Sequence, residues 1–219
     1  MPAKKKTTKS PDAKNKKLKP TESEHLGYGK LIIFGEHFVV HNQRPSLVGA
    51  LQAYTTCEVE LFDAKEEEGW STGLIVVDQR PAVEGYKDDK KAEMLESVKL
   101  VLKCFKLDPE TRGVRITFGG SLCAVSGVGA SAASCVALAR ALNERLGMSM
   151  TEEEINGVAF EGEKGYHGTP SGIDNTCSTY GGLLKFQRSA EPGGSPKFET
   201  LSLAQPILVV FASRFPFSR

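Results

Sequence analysis

The sequence lacks most marks of a membrane, secreted or metal-caged protein. No apolar run approaches the ~20 residues that a spanning helix needs; stretches such as 207–212 are far shorter. The five cysteines, Cys57, Cys104, Cys123, Cys135 and Cys177, are odd in number, widely spaced and form no C-x-x-C pair. That argues against a disulfide framework or a zinc site and reads as small buried residues in a reducing compartment. No N-x-[ST] acceptor occurs, in keeping with an intracellular chain. An excess of one charge is missing too, with 28 basic and 27 acidic residues netting +1. With 40% hydrophobic and 25% charged residues, wholesale disorder, a coiled coil and a collagen-like chain are excluded. The 219 residues are enough for one large domain or two small ones with an ample core.

The near-zero charge averages two unlike parts. Residues 1–20 hold eight lysines and Asp12, a +7 segment, so a total of +1 leaves −6 on the remaining 199 residues. Leu18 is the one large apolar residue there and prolines stand at 2, 11 and 20. Such a stretch cannot bury enough surface to fold alone, and we read it as a disordered tail. Without an apolar core region it is not a signal peptide. A solvated tail is the plain reading, and weak binding to nucleic acid or an anionic surface is the alternative.

From Gly29 onward the pattern turns globular. Residues 31–34 and 74–77 read as buried strands, 48–62 as extended and half-buried, and 114–118 as a half-exposed strand. Met94, Leu95, Val98, Val101, Leu102 and Phe105 recur at helical spacing, which predicts an amphipathic helix over about 89–106. Small residues fill 119–129, an alanine-dense helix covers 130–146, and Thr151 with Glu154 has the spacing of a capping box opening a helix to about 164. A Gly-rich loop over 167–174 and strands at 182–186 and 207–211 complete the reading. Strands and helices mix without strict alternation, so the expected class is α+β.

Three segments carry chemistry. Ser126-Gly127-Val128-Gly129-Ala130-Ser131 follows a strand and opens a helix. Glycines let backbone approach a ligand, and a helix start offers unpaired N–H groups and a positive dipole end, a combination suited to phosphate. Ser131 sits where its hydroxyl would face a phosphate or its metal ion; a tight turn before a closely packed helix has the same composition. No Gly-Lys-[Ser/Thr] follows, so this is not a P-loop. The second segment, His167 to Asn175, holds the acid Asp174, with Glu163 eleven residues earlier. A turn or cap residue and a surface salt bridge are the structural alternatives for these two acids. In the third, Lys30 starts a buried strand that Glu36 and His37 close; a solvated Lys30 at the strand edge is the alternative. His37 and His41 share i,i+4 spacing, but residues 38–40 (Phe-Val-Val) give little helical support, so no metal site is read there.

Taken jointly, the three segments resemble the GHMP small-molecule kinases, most closely the branch that phosphorylates mevalonate. Gly29 to His41 is similar to the motif G-K-[VIL]-I-[LI]-F-G-E-H-x-V-V-H, Gly127 to Ala133 to the phosphate loop G-L-G-S-S-A-A, and Glu161 to Gly182 to G-E-x-x-x-H-G-x-P-S-G-x-D-N-x-x-S-T-x-G-G. The resemblance spans about 27–212. It implies a GHMP kinase N-terminal domain of the ribosomal protein S5 domain 2-like fold over 27–213, with ATP, Mg²⁺ and mevalonate as ligands. Residue by residue it implies that Ser126, Gly127, Val128, Gly129, Ala130 and Ser131 wrap the ATP phosphates and that Ser131 and Glu163 hold Mg²⁺. It implies further that Asp174 is the general base, that Lys30 pairs with it and stabilises the alkoxide, and that Glu36 and His37 lie near the mevalonate pocket. The pathway implied is isoprenoid and sterol precursor synthesis, in the cytoplasm or alternatively a peroxisome-like organelle, without membrane or nucleic-acid partners; a homodimer of the full-length enzyme is left open.

Departures from the family pattern set further expectations. Gly27-Tyr28 replaces the usual Ala-Pro, with little consequence expected, and Ala130 replaces the first serine of Ser-Ser, losing one auxiliary hydroxyl. Residues 214–219 match nothing in the family, whose members continue into a C-terminal ferredoxin-like domain; the expectation is a truncated chain lacking it. An active kinase, an inactive fragment, a GHMP kinase for another small alcohol and a binding module using the Lys-rich tail are the competing readings.

Overall fold

The computed structural model describes residues 25–37, 44–63, 73–191, 194–210 and 217–218. The tail at 1–20, the charged loop at 65–69, positions 38–41 of the first motif and most of 214–219 lie outside the described residues.

Strand β1 (Leu26–Phe34) runs antiparallel to β2 (Ser46–Phe62), whose seventeen residues are the spine of the main sheet. The alternation expected over 48–62 is what lets one strand serve several neighbours. Residues 46–49 of β2 pair with β6 (Leu183–Gln187), and 55–62 pair with β5 (Gly113–Gly120). Strand β3 (Leu74–Asp78) lies parallel to β5, and β7 (Lys197–Leu201) closes the far side next to β6. The order is β3-β5-β2-β6-β7, with β1 on β2 off that path. Two short strands, β4 (Ala82–Val83) and β8 (Phe217–Ser218), form a separate pair. One parallel pairing among antiparallel ones, with helices packed on the sheet, gives the mixture of strands and helices expected of the α+β class.

The helices are α1 (Tyr86–Asp89), α2 (Lys91–Cys104), α3 (Ala130–Arg145), α4 (Glu152–His167) and α5 (Ile173–Tyr180). The main core joins α2, α3 and α4 to the sheet through Val101, Leu102, Ile116, Phe118, Leu138, Leu142 and Ile155. Helix α3 is buried along most of its length, and its alanines are what allow it to lie so close to its neighbours. A Cβ on Gly27 would stand 2.1 Å from the carbonyl oxygen of Ala133. The Gly27-Tyr28 departure therefore does have a consequence, because it brings β1 into backbone contact with α3. The capping box is present: Glu154 N–H donates to Thr151 Oγ1 at 3.3 Å and Thr151 N–H to Glu154 Oε2 at 2.7 Å.

Two expectations are corrected. Residues 206–210 form no strand, and Ile207, Leu208 and Val210 stand 60%, 88% and 81% exposed; an apolar run becomes a strand only where a partner edge and a face to bury exist, and β7 occupies the edge of β6. The Gly-rich loop ends at Gly172, after which α5 puts Asp174 in the first turn of a helix instead of in a loop.

Candidate active site

Three local structures converge on Lys30, in the middle of β1. Gly129, at φ 71°, is the N-cap of α3 and offers no side-chain cap. No cap side chain therefore occupies the first N–H groups of this sixteen-residue helix. Lys30 N–H donates to the carbonyl of Val128 at 2.8 Å, tying strand to loop, and a Cβ on Gly129 would stand 2.6 Å from Lys30 Cγ. The glycine lets the lysine stem run beneath the helix start. Ser126 and Gly127 are exposed, Val128, Gly129 and Ala130 buried, and Ser131 half-buried.

The lysine head reaches α5. Lys30 Nζ lies 3.1 Å from Asp174 Oδ1, with side-chain exposures of 7% and 27%. Lys30 is thus not a solvated edge residue, and Asp174 does more than start a helix. Glu163, near the end of α4, is 1% exposed. The surface ion pair available in this stretch falls instead to Lys164 and Glu161, at 2.6 Å.

Glu163 carries the site's most perturbed proton. Burial, then the negative charge of Asp174, push its carboxyl up to about 8; the Ser131 hydroxyl and the charge of Lys30 pull the other way. Its Oε1 is buried without a hydrogen-bond partner among protein groups, and His167 Nε2 stands 3.8 Å from Oε2. A buried, half-satisfied carboxylate beside a hydroxyl fits a hard divalent cation, which prefers oxygen ligands and keeps several waters.

A cavity of about 280 Å³ opens over these groups, lined by Lys30, Glu36, Glu163, His167, Asp174 and Arg188 among others. Glu36 is therefore at the site, whereas His37 is exposed and does not line the cavity. Arg188, just past β6, is a cavity residue that the sequence reading missed; it forms no ion pair among the described residues. No local motif surrounds it, so only the sheet topology brings it here. Lysine, arginine and three carboxylates around one small cavity make a site for a small polar molecule with groups able to hold or move a proton.

Residues 94–182 match the family model of the GHMP kinases N terminal domain. The chain belongs to this family of small-molecule kinases; the segments at 127–133 and 161–182 lie within the matched region and the one at 29–41 precedes it. Within the family it is similar to mevalonate kinases. The one from Pyrococcus furiosus is 30% identical over 191 residues, covering 83% of this chain and 54% of that protein. The one from Arabidopsis thaliana is 30% identical over 212 residues, covering 72% and 55%. Among solved structures, L. major mevalonate kinase in complex with R-mevalonate superposes with a TM-score of 0.75 at 43% identity, covering 84% of this chain and 54% of that one. The Methanococcus jannaschii mevalonate kinase, at 20% identity and a TM-score of 0.60, shares the fold. The chain spans about half the length of the curated relatives it matches.

Proposed function

We propose that this chain carries the phosphate-binding and proton-transfer groups of a kinase that phosphorylates the primary hydroxyl of mevalonate from ATP, and that it performs this reaction. The observation that carries this is the Lys30–Asp174 pair, 3.1 Å apart on the cavity beside the glycine-rich start of α3. Mevalonate is a small carboxylic acid with a primary alcohol, and a cavity of about 280 Å³ suits it. The similarity to L. major mevalonate kinase, whose structure holds R-mevalonate, supports that substrate.

Residue roles follow from chemistry. The backbone N–H groups from 126–131 face the ATP phosphates, where fixed donors offset charge without reorganising. Asp174 accepts the hydroxyl proton as the oxygen attacks, a contribution of ~10²–10⁴-fold for a well-placed base. Lys30 orients that carboxylate and stabilises the developing alkoxide. Arg188 faces the substrate carboxylate. Glu163 and Ser131 would hold Mg²⁺, which supplies positive charge against the phosphate oxygens. Glu36 bounds the same pocket, and His37 reaches it only by turning from its exposed position. The reading extends to isoprenoid precursor synthesis in the cytoplasm, with which the free thiols of all five cysteines agree.

A coupled ADP-release assay with mevalonate and Mg-ATP tests this. Mevalonate-dependent turnover lost in Asp174→Ala supports it; turnover equal to that of the variant overturns it.

A further inference from the structure

Behind the phosphate loop lies a buried charged cluster that no motif announces. Arg80, two residues past β3, is 4% exposed. Its Nε and Nη2 donate to the two carboxylate oxygens of Asp78 at 2.9 and 2.7 Å. Nη1 donates to Ser134 Oγ at 2.6 Å and to the carbonyl oxygen of Ala130 at 3.0 Å, with Thr55 Oγ1 at 3.4 Å. The guanidinium lies 5.5 Å from the centroid of the Phe118 ring. Lys87 Nζ donates to the carbonyls of Asp78 and Arg80 at 2.8 and 2.6 Å, fastening the backbone that carries the pair.

A buried ion pair is weak evidence of a stabilising role, since desolvation offsets its attraction. What sets this one apart is where its free donor goes. Ala130 is the first residue of α3, and its carbonyl belongs to the same peptide unit as the N–H of Ser131. Ser134 Oγ donates to that carbonyl as well, at 2.8 Å. A cationic donor on the oxygen polarises the peptide and strengthens the N–H at its other end. That N–H is one of the open donors at the helix start. The start has no side-chain cap of its own and follows two glycines with positive φ, Gly127 and Gly129; Lys30 N–H holds the Val128 carbonyl from the strand side, and Arg80 holds the first turn from the opposite end of its peptide.

We propose that Arg80 is a positioning residue for the nucleotide: held by Asp78, it clamps the first turn of α3 from behind and sharpens the Ser131 N–H as a phosphate donor. This rests on the reading that ATP phosphates lie along 126–131. The test is calorimetric titration with Mg-ADP of the parent chain, of Ser134→Ala, and of Asp78→Asn combined with Arg80→Met, which removes both buried charges together. The amide proton shifts of Ser131 and of Ala139, deeper in the same helix, are recorded alongside. Mg-ADP binding weakens about tenfold in the paired variant, the scale of one charge-assisted hydrogen bond, and more modestly in Ser134→Ala. In both, the Ser131 amide proton moves upfield while that of Ala139 stays, a signature that general loosening of the core would not give. Unchanged Mg-ADP affinity in a folded variant, or equal shifts at both amides, overturns the proposal. Should the paired variant fail to fold, Ser134→Ala decides by the same criteria. A parent chain that binds no Mg-ADP overturns the functional reading and this proposal with it. A parent and variant that bind it equally remove the role of Arg80 alone.

Discussion

Lys30 Nζ and Asp174 Oδ1 stand 3.1 Å apart although one residue lies in the middle of β1 and the other in the first turn of α5. Neither is placed by local sequence. The pairing exists because β1 threads between the start of α3 and α5, with Gly27 against Ala133 and the Lys30 stem under Gly129. If the pair moves a proton, removing its carboxylate lowers turnover with little change in nucleotide affinity. For Asp174→Asn, kcat falls ~10²–10⁴-fold while Mg-ADP affinity by calorimetry stays within a few-fold of the parent. A parallel loss of both would make Asp174 a binding residue instead.

Glu163 gives a pH signature. Its carboxyl titrates at about 8 in the folded state against 4.5 for the ordinary group. Between those values the folded state holds a proton that the unfolded state has released, so stability falls as pH rises through this window and levels off above it. Glu163→Gln cannot ionise and escapes that loss. The variant's urea midpoint should match the parent's near pH 4.5, exceed it increasingly toward pH 8 and keep a constant lead above. The same substitution should weaken Mg-ADP binding. A lead independent of pH would contradict the buried, raised carboxyl.

Arg188 separates binding from chemistry. It lines the cavity and is unpaired among the described residues, so its loss removes a partner for the substrate carboxylate without touching the base. Arg188→Gln raises KM for mevalonate by tenfold or more, on the scale of one charge-assisted contact, with a much smaller change in KM for ATP. Equal effects on both would place Arg188 outside the acid-binding end.

Gly27 tests the packing that positions Lys30. A methyl group there meets Ala133 carbonyl backbone at 2.1 Å, which cannot yield as a flexible side chain would. Gly27→Ala should destabilise the chain by roughly 1–3 kcal/mol, read as a lowered urea midpoint at unchanged slope. A neutral outcome would mean that β1 and α3 are less closely apposed.

Much of this was legible beforehand where periodicity is local. The alternation over β2, the helical spacing of apolar residues over α2 and the Thr151–Glu154 capping box all express themselves in neighbouring residues, and each stands within a few residues of its expected bounds. The motif residues Lys30, Glu163, Asp174 and Glu36 also meet at one cavity. Helix α5 was illegible because Thr, Ser and Asn dominate Ile173–Tyr180 and favour other conformations on their own. Here Thr176 and Thr179 hydroxyls donate back to carbonyls four residues earlier, and Asn175 donates to Asn156 on α4, so tertiary contacts supply what propensity lacks. Arg80 and Arg188 escaped notice for the converse reason, since isolated arginines acquire meaning only from what the sheet brings beside them. Of the strand expected at 207–211, the described residues 207–210 form none, because hydrophobicity alone does not make a strand without a face to bury.

The central claim is transfer of the ATP γ-phosphoryl group to the primary hydroxyl of mevalonate at the Lys30–Asp174 pair. Mass spectrometry of the reaction of this chain with mevalonate and Mg-ATP tests it most directly. The account predicts 5-phosphomevalonate accumulating in step with ADP and absent with Asp174→Ala. No phosphorylated mevalonate, or the same yield with the variant, would contradict it.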